Sequence, residues 1–81
     1  VKAIVCVTLK PDVLDPQGKA IQRAAAALGH SAIREVRQGK LFEVEVDAVD
    51  RGAAERLLRE VAGKLLSNPV IEDFRIERIE A

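Results

Sequence analysis

Apolar and polar residues alternate with period two near both ends of the chain and recur at helical spacing in between. Over residues 2–10, Ala3, Val5, Val7 and Leu9 fall on one face of an extended segment, so this segment reads as a strand. Pro11 and Asp12 end it. Asp15-Pro16 reads as a helix start, a capping carboxylate followed by proline at the first helical position. Ile21, Ala24, Ala25 and Leu28 then return at helical spacing and Gly29 is a natural stop, which predicts a first helix over residues 16–28.

Residues 32–38 and 40–47 flank Gln38-Gly39, which predicts a two-residue hairpin loop. That register pairs Arg37 with Lys40, Arg34 with Glu43, and Ile33 with Val44. It puts Ile33, Phe42, Val44 and Val46 on one face and Arg34, Glu43, Glu45 and Asp47 on the other. Asp50 caps a second helix. Its apolar stripe is Ala54, Leu57, Leu58, Val61, Ala62 and Leu65, and its wet face carries the pairs Glu55–Arg59 and Glu60–Lys64. Asn68-Pro69 stops it, and residues 70–80 read as a last strand of alternating charge.

The element order is therefore β-α-β-β-α-β in one domain spanning residues 1–81. The expected fold class is α+β: a two-layer, ferredoxin-like antiparallel sheet with both helices on one face. The other face lacks a cover. Ile4, Cys6, Val36 and Leu41 are expected there among charges, as a candidate oligomer surface.

Composition sharpens this picture. The 81 residues include two Phe and no Tyr, Trp or Met. A compact chain of this mass exposes roughly 4,800 Å² and buries about 63% of its unfolded surface. A core that small, built from Val, Ile, Leu and Ala, points to a partner surface. Thirteen Lys and Arg balance thirteen Asp and Glu, which argues against general nucleic-acid binding. The balance hides a division: residues 1–40 hold seven basic and three acidic residues (+4), and residues 41–81 hold six and ten (−4). No apolar run reaches membrane-spanning length and no signal-peptide pattern is present. One unpaired cysteine suits a reducing, cytoplasmic setting.

Candidate chemistry is sparse. His30 follows a helix end, where the helix dipole accounts for it. Cys6 sits within a strand as a small apolar residue. Neither a Cys-x-x-Cys pair nor a phosphate-binding glycine loop occurs, so no metal or cofactor is expected on this chain. Glu43, Glu45 and Asp47 read as a solvated strand face. The sheet offers only Phe42 and Phe74 as aromatics, and Phe42 points toward the helices, which argues against stacking of RNA bases.

Three stretches ask for more than a structural role. In Leu14-Asp15-Pro16-Gln17-Gly18, a glycine in the first helical turn costs roughly 1 kcal/mol against alanine, so something needs backbone access there. Val36-Arg37-Gln38-Gly39-Lys40 places two cations at a predicted turn, suited to an acidic partner. Asn68-Pro69-Val70-Ile71-Glu72-Asp73-Phe74 ends a helix and launches a strand.

These stretches, with Val5-Cys6-Val7-Thr8-Leu9-Lys10, resemble the PurS family, the small subunit of phosphoribosylformylglycinamidine synthase, over essentially the whole chain. Phe74 departs from the pattern, where an aromatic with a hydroxyl is common. The resemblance implies a non-catalytic adaptor in de novo purine biosynthesis. It would join an ATP-dependent synthetase subunit to a glutaminase subunit and help form a protected ammonia path. ATP and Mg would be used by the complex, with no cofactor held by this chain. The resemblance also implies a dimer or tetramer, with the last strand either kept at home or shared with a neighbour; when shared, Phe74, Ile76 and Ile79 supply its apolar contacts. Asp15, Gln17, Gly18, Arg37 and Lys40 are the candidate contacts to other subunits; the exposed N–H groups at the helix start suit an acceptor. A competing reading is a regulatory amino-acid-binding module of the same topology. A small acyl phosphatase is disfavoured, because Pro11-Asp12-Val13-Leu14-Asp15 is acidic where a phosphate loop would need arginine.

Overall fold

The computed structural model describes residues 1–80. Strand β1 (Lys2–Leu9) is central, with β2 (Gly39–Glu45) and β3 (Glu72–Glu80) antiparallel on either side. Ala3, Val5 and Val7 point to one face and are buried there. Helix α2 (Arg51–Val61) covers that face with Ala54 and Leu58. Val46, Ala62 and Ile79 complete the buried cluster, flanked by Phe42, Val44, Leu66, Phe74 and Ile76. The class is the expected one, α+β with an antiparallel sheet.

Helix α2 starts where Asp50 accepts the Ala53 N–H at 2.8 Å. Its last turn, Ala62–Leu66, widens into π geometry, and the Ala62 carbonyl accepts both the N–H and the hydroxyl of Ser67. Each residue of a π turn advances the helix by a smaller angle. Leu66 rather than Leu65 therefore comes back over the core, and Leu65 is 78% exposed. Asn68 then closes the helix end: its side chain accepts the Val70 N–H, and its carbonyl accepts those of Ile71 and Glu72.

In β3, Ile76 lies opposite Val5 while Arg78 lies opposite Ile4, so Glu77 is an extra residue in a bulge. The bulge resets the alternation. Ile76 and Ile79, three apart in sequence, both face the core as a result. Phe74, Ile76 and Ile79 thus pack on the chain's own α2 side.

The predicted hairpin does not form. A two-residue hairpin loop of the favoured kind needs positive φ, and among the described residues only Gly29 has it. Gln38-Gly39 runs straight on. Gly39 starts β2 opposite Thr8, and residues 33–38 have no strand partner. The Arg34–Glu43, Ile33–Val44 and Arg37–Lys40 pairings are replaced by Ile4–Glu43, Ala3–Val44 and Val7–Lys40. Gly39 is small because β1 is close: a β-carbon there would meet the Val7 carbonyl oxygen at 2.6 Å.

The second departure concerns helix α1 (Pro16–Ala27). Asp15 caps it, Pro16 opens it and Gly29 follows its end at φ 93°, as expected. It does not pack on the sheet beside α2, however. Gly18 is its only buried residue, and no residue of α1 belongs to the core cluster. The chain is accordingly extended: its radius of gyration is 15.9 Å, against about 12 Å for a compact chain of this length. It exposes 6039 Å², well above the roughly 4,800 Å² of a compact fold.

Candidate functional site

The three sequence stretches meet at one end of the molecule. A recess of about 310 Å³ lies between them, ringed by Asp15, Pro16 and Gln17 from the first, Gln38, Gly39 and Lys40 from the second, and Glu72 from the third. Val7 and Leu9 of β1 form its floor.

Asp15 organises this end. Its side chain is buried, at 4% residue exposure. One carboxylate oxygen accepts the Gly18 N–H at 3.0 Å, which is the helix cap. The other accepts the Gln38 N–H at 2.6 Å, a link across 23 residues. These two N–H donors hold the carboxyl below the usual carboxylate range, and the Arg37 charge adds to the effect against the opposing influence of burial. The N–H of Gly18 is thus already occupied by the chain's own carboxylate.

Gly18 lies under the Val36 carbonyl, so the backbone access anticipated for this glycine is made by the chain itself. Gln17 and Gln38 bond through their side-chain amides. Arg37 is exposed but already partnered: its guanidinium donates to the carbonyls of Lys10 at 3.0 Å and Val13 at 3.1 Å, with a longer contact to Leu9. It holds the Pro11–Leu14 loop from behind. Lys40 differs. Its side chain is 64% exposed and reaches Glu72 only at 3.7 Å, while Glu72 accepts the Asn68 N–H at 2.7 Å.

Of the sequence candidates, Asp15, Gln17, Gly18 and Arg37 are therefore engaged with one another's segments, and Lys40 faces outward. Ile4, Cys6 and Leu41 lie on the uncovered sheet face as expected, beside a shallow groove with Glu43, Glu45 and Arg78. Val36 is a correction. It is not on the sheet, because the strand that would carry it does not form, and it sits half-buried against α1. Sequence reading overlooked three residues. Gln38 was absorbed into a turn; Gln22, whose amide donates to the Arg34 carbonyl at 2.6 Å, lacked any signal; so did Lys10, paired with Asp73 at 2.6 Å.

Among the described residues no group of three or more His, Cys, Asp or Glu is placed to hold a metal ion. His30 is exposed beyond the end of α1, far along the chain from half-exposed Cys6 on the sheet. The fold and site define a small α+β subunit in which the singled-out residues make internal contacts rather than a reacting pair.

Residues 2–80 match the family described as "PurS: Phosphoribosylformylglycinamidine (FGAM) synthase". The chain is 49% identical over 78 residues to the phosphoribosylformylglycinamidine synthase subunit PurS of Mycobacterium leprae, covering 95% of this chain and 94% of that protein. It superposes on the crystal structure of Bacillus subtilis PurS with a TM-score of 0.81, at 43% identity and 94% coverage of both chains. A chain in the structure described as PurLQS from Thermotoga maritima gives a TM-score of 0.84 at 25% identity, covering 98% of this chain and 99% of that one. The chain belongs to the PurS family, the small subunits of FGAM synthase.

Proposed function

We propose that this chain is the non-catalytic adaptor of an FGAM synthase, joining the ATP-dependent synthetase subunit to the glutaminase subunit and helping ammonia pass between them. The observation that carries the reading is the fate of the family's signature residues. Asp15, Gln17, Gly18 and Arg37 build one rigid end of the chain, and the same end carries no nucleophile paired with a base. A relative solved as part of PurLQS supports assembly with other subunits.

Self-association belongs to the same proposal. Leu28 is 77% exposed, and Ile21, Ile33 and Leu41 are also open, in a chain whose surface exceeds that of a compact fold. A dimer or tetramer would cover such residues. In this reading ATP and Mg are used by the synthetase subunit, this chain holds no cofactor, and the complex works in the cytoplasm. No helix among the described residues is long and apolar enough to cross a membrane.

Reconstitution tests the reading. With the synthetase and glutaminase subunits, omission of this chain should abolish glutamine-dependent amidation and spare much of the ammonia-dependent reaction. Equal glutamine-dependent turnover with and without it would refute the coupling role. Calorimetry against free amino acids addresses the regulatory alternative, for which heat of binding would be required.

A further inference from the structure

A twelve-residue helix is marginal in water without tertiary packing. Helix α1 has that length, and none of its side chains enters the core. Within one chain, contacts other than core burial must hold it. The contacts that reach it come from residues 34–38: Asp15 to Gln38, Gln17 to Gln38, Gln22 to the Arg34 carbonyl, and Gly18 against the Val36 carbonyl. Arg37, in the same segment, grips the carbonyls of the loop that leads into the helix.

We propose that Asp15, Gly18 and Arg37 are positioning residues that form a latch, fixing the direction in which α1 leaves the sheet independently of the hydrophobic core. Asp15 is the pivot because it does two separable things. One oxygen caps α1 and the other ties the cap to Gln38. Gly18 allows the approach, since any β-carbon would collide with backbone rather than with a movable side chain. Arg37 keeps the entering loop from swinging. The consequence is a molecule with two mechanical parts: the sheet with α2, held by apolar burial, and α1 with residues 31–38, held by the latch.

Asp15→Asn separates the two roles. Asparagine caps a helix as well as aspartate does, but it has one acceptor oxygen in place of two, so with that oxygen on the Gly18 N–H the Gln38 N–H lacks an acceptor. The latch contacts all lie within one chain, so the full chain without other subunits, in whatever assembly it forms with itself, is the sample. Amide hydrogen exchange is read residue by residue for wild type, Asp15→Asn and Arg37→Met. The amides of α1 and Gln38 should exchange roughly tenfold faster or more in both variants, while those of β1, α2 and β3 stay within about twofold of wild type. Parallel acceleration of α1 and the sheet would make these residues ordinary contributors to global stability and overturn the latch. Unchanged α1 exchange in both variants would show that other contacts hold the helix, and would overturn it too. Failure of Asp15→Asn to fold also counts against it, because the core is required to stand without the latch; Arg37→Met then gives the second reading.

Discussion

A β-carbon on Gly18 would lie 2.1 Å from the carbonyl oxygen of Val36, a position no real side chain occupies. This contact joins the first turn of α1 to a segment that the sequence pattern assigns to a hairpin. Its partner is backbone, so it cannot yield as a flexible side chain would. Alanine at a helix interior normally gains about 1 kcal/mol over glycine. Here the overlap should outweigh that gain, since overpacking of this kind typically costs about 1–3 kcal/mol. Gly18→Ala is expected to destabilise α1, read as faster amide exchange across the helix. Gly52→Ala is the opposite case: its β-carbon meets only the side-chain ends of Arg56 and Asp50 at 3.4 Å. It should stabilise the chain by about 0.5–1 kcal/mol.

The pH dependence of the latch follows from the lowered pKa of Asp15. A carboxyl depressed in the folded state contributes stability that is fully present above its unfolded value, about 3.9. That contribution fades as pH falls through the lower folded value. The difference in α1 opening between wild type and Asp15→Asn should therefore be flat from neutral pH down to about pH 5 and shrink below the unfolded value. Amide exchange of α1 in both proteins, compared at equal pH across that range, measures it; a difference that grows on acidification would contradict the sign.

Leu58 is the largest side chain sealed against the sheet, whereas its neighbour Leu57 is largely open. Leu58→Ala should cost about 2–5 kcal/mol, a large share of what a domain of this size holds. Leu57→Ala should change stability by no more than about 0.5 kcal/mol. Urea midpoints of the two variants give the comparison directly.

The bulge at Glu77 makes a sharper test of strand register. Removing Glu77 restores strict alternation without changing the pairing: Arg78 then follows Ile76 directly, opposite Ile4, and Ile79 stays on the core face opposite Ala3. The deletion should therefore leave the chain folded, with the bulge gone and Ile79 still buried. Glu77→Ala keeps the bulge and removes only a surface pair with Arg75, which is worth at most about 1 kcal/mol. Thermal melts followed by circular dichroism should show one cooperative transition for both; its loss in the deletion would show that the bulge itself is required.

Lys40 and Arg37 are no longer equivalent probes of partner binding. Arg37 is committed to loop carbonyls, so its loss mixes folding with binding. Lys40 is exposed and its ion pair with Glu72 is long, so Lys40→Ala should shift stability by less than about 0.5 kcal/mol. A loss of affinity for the synthetase or glutaminase subunit in Lys40→Ala, read by co-elution at equal fold stability, would then report a contact at this end. Unchanged assembly would remove Lys40 from the interface.

Much of this protein is written locally in its sequence. The alternation of Ala3, Val5 and Val7, the stripe through Ala54 and Leu58, the caps at Asp15 and Asp50, and the stops at Gly29 and Asn68-Pro69 each depend on neighbours within a few residues. Periodicity and capping chemistry suffice for them. The anomaly of Gly18 was legible as well, though its partner was not. Tertiary structure decided the rest, where distant groups compete for the same backbone. β1 offers two edges, and burial of its apolar face assigns one to residues 39–45, which leaves residues 33–38 without a ladder. Asp15 then takes the Gln38 N–H from 23 positions away, so a predicted turn becomes an anchor. The bulge that aligns Ile76 with Ile79, and the π turn that selects Leu66 over Leu65, likewise answer to the sheet beneath them. Short-range pattern specifies elements; which edge, which register and which hydrogen-bond partner are settled only when the elements meet.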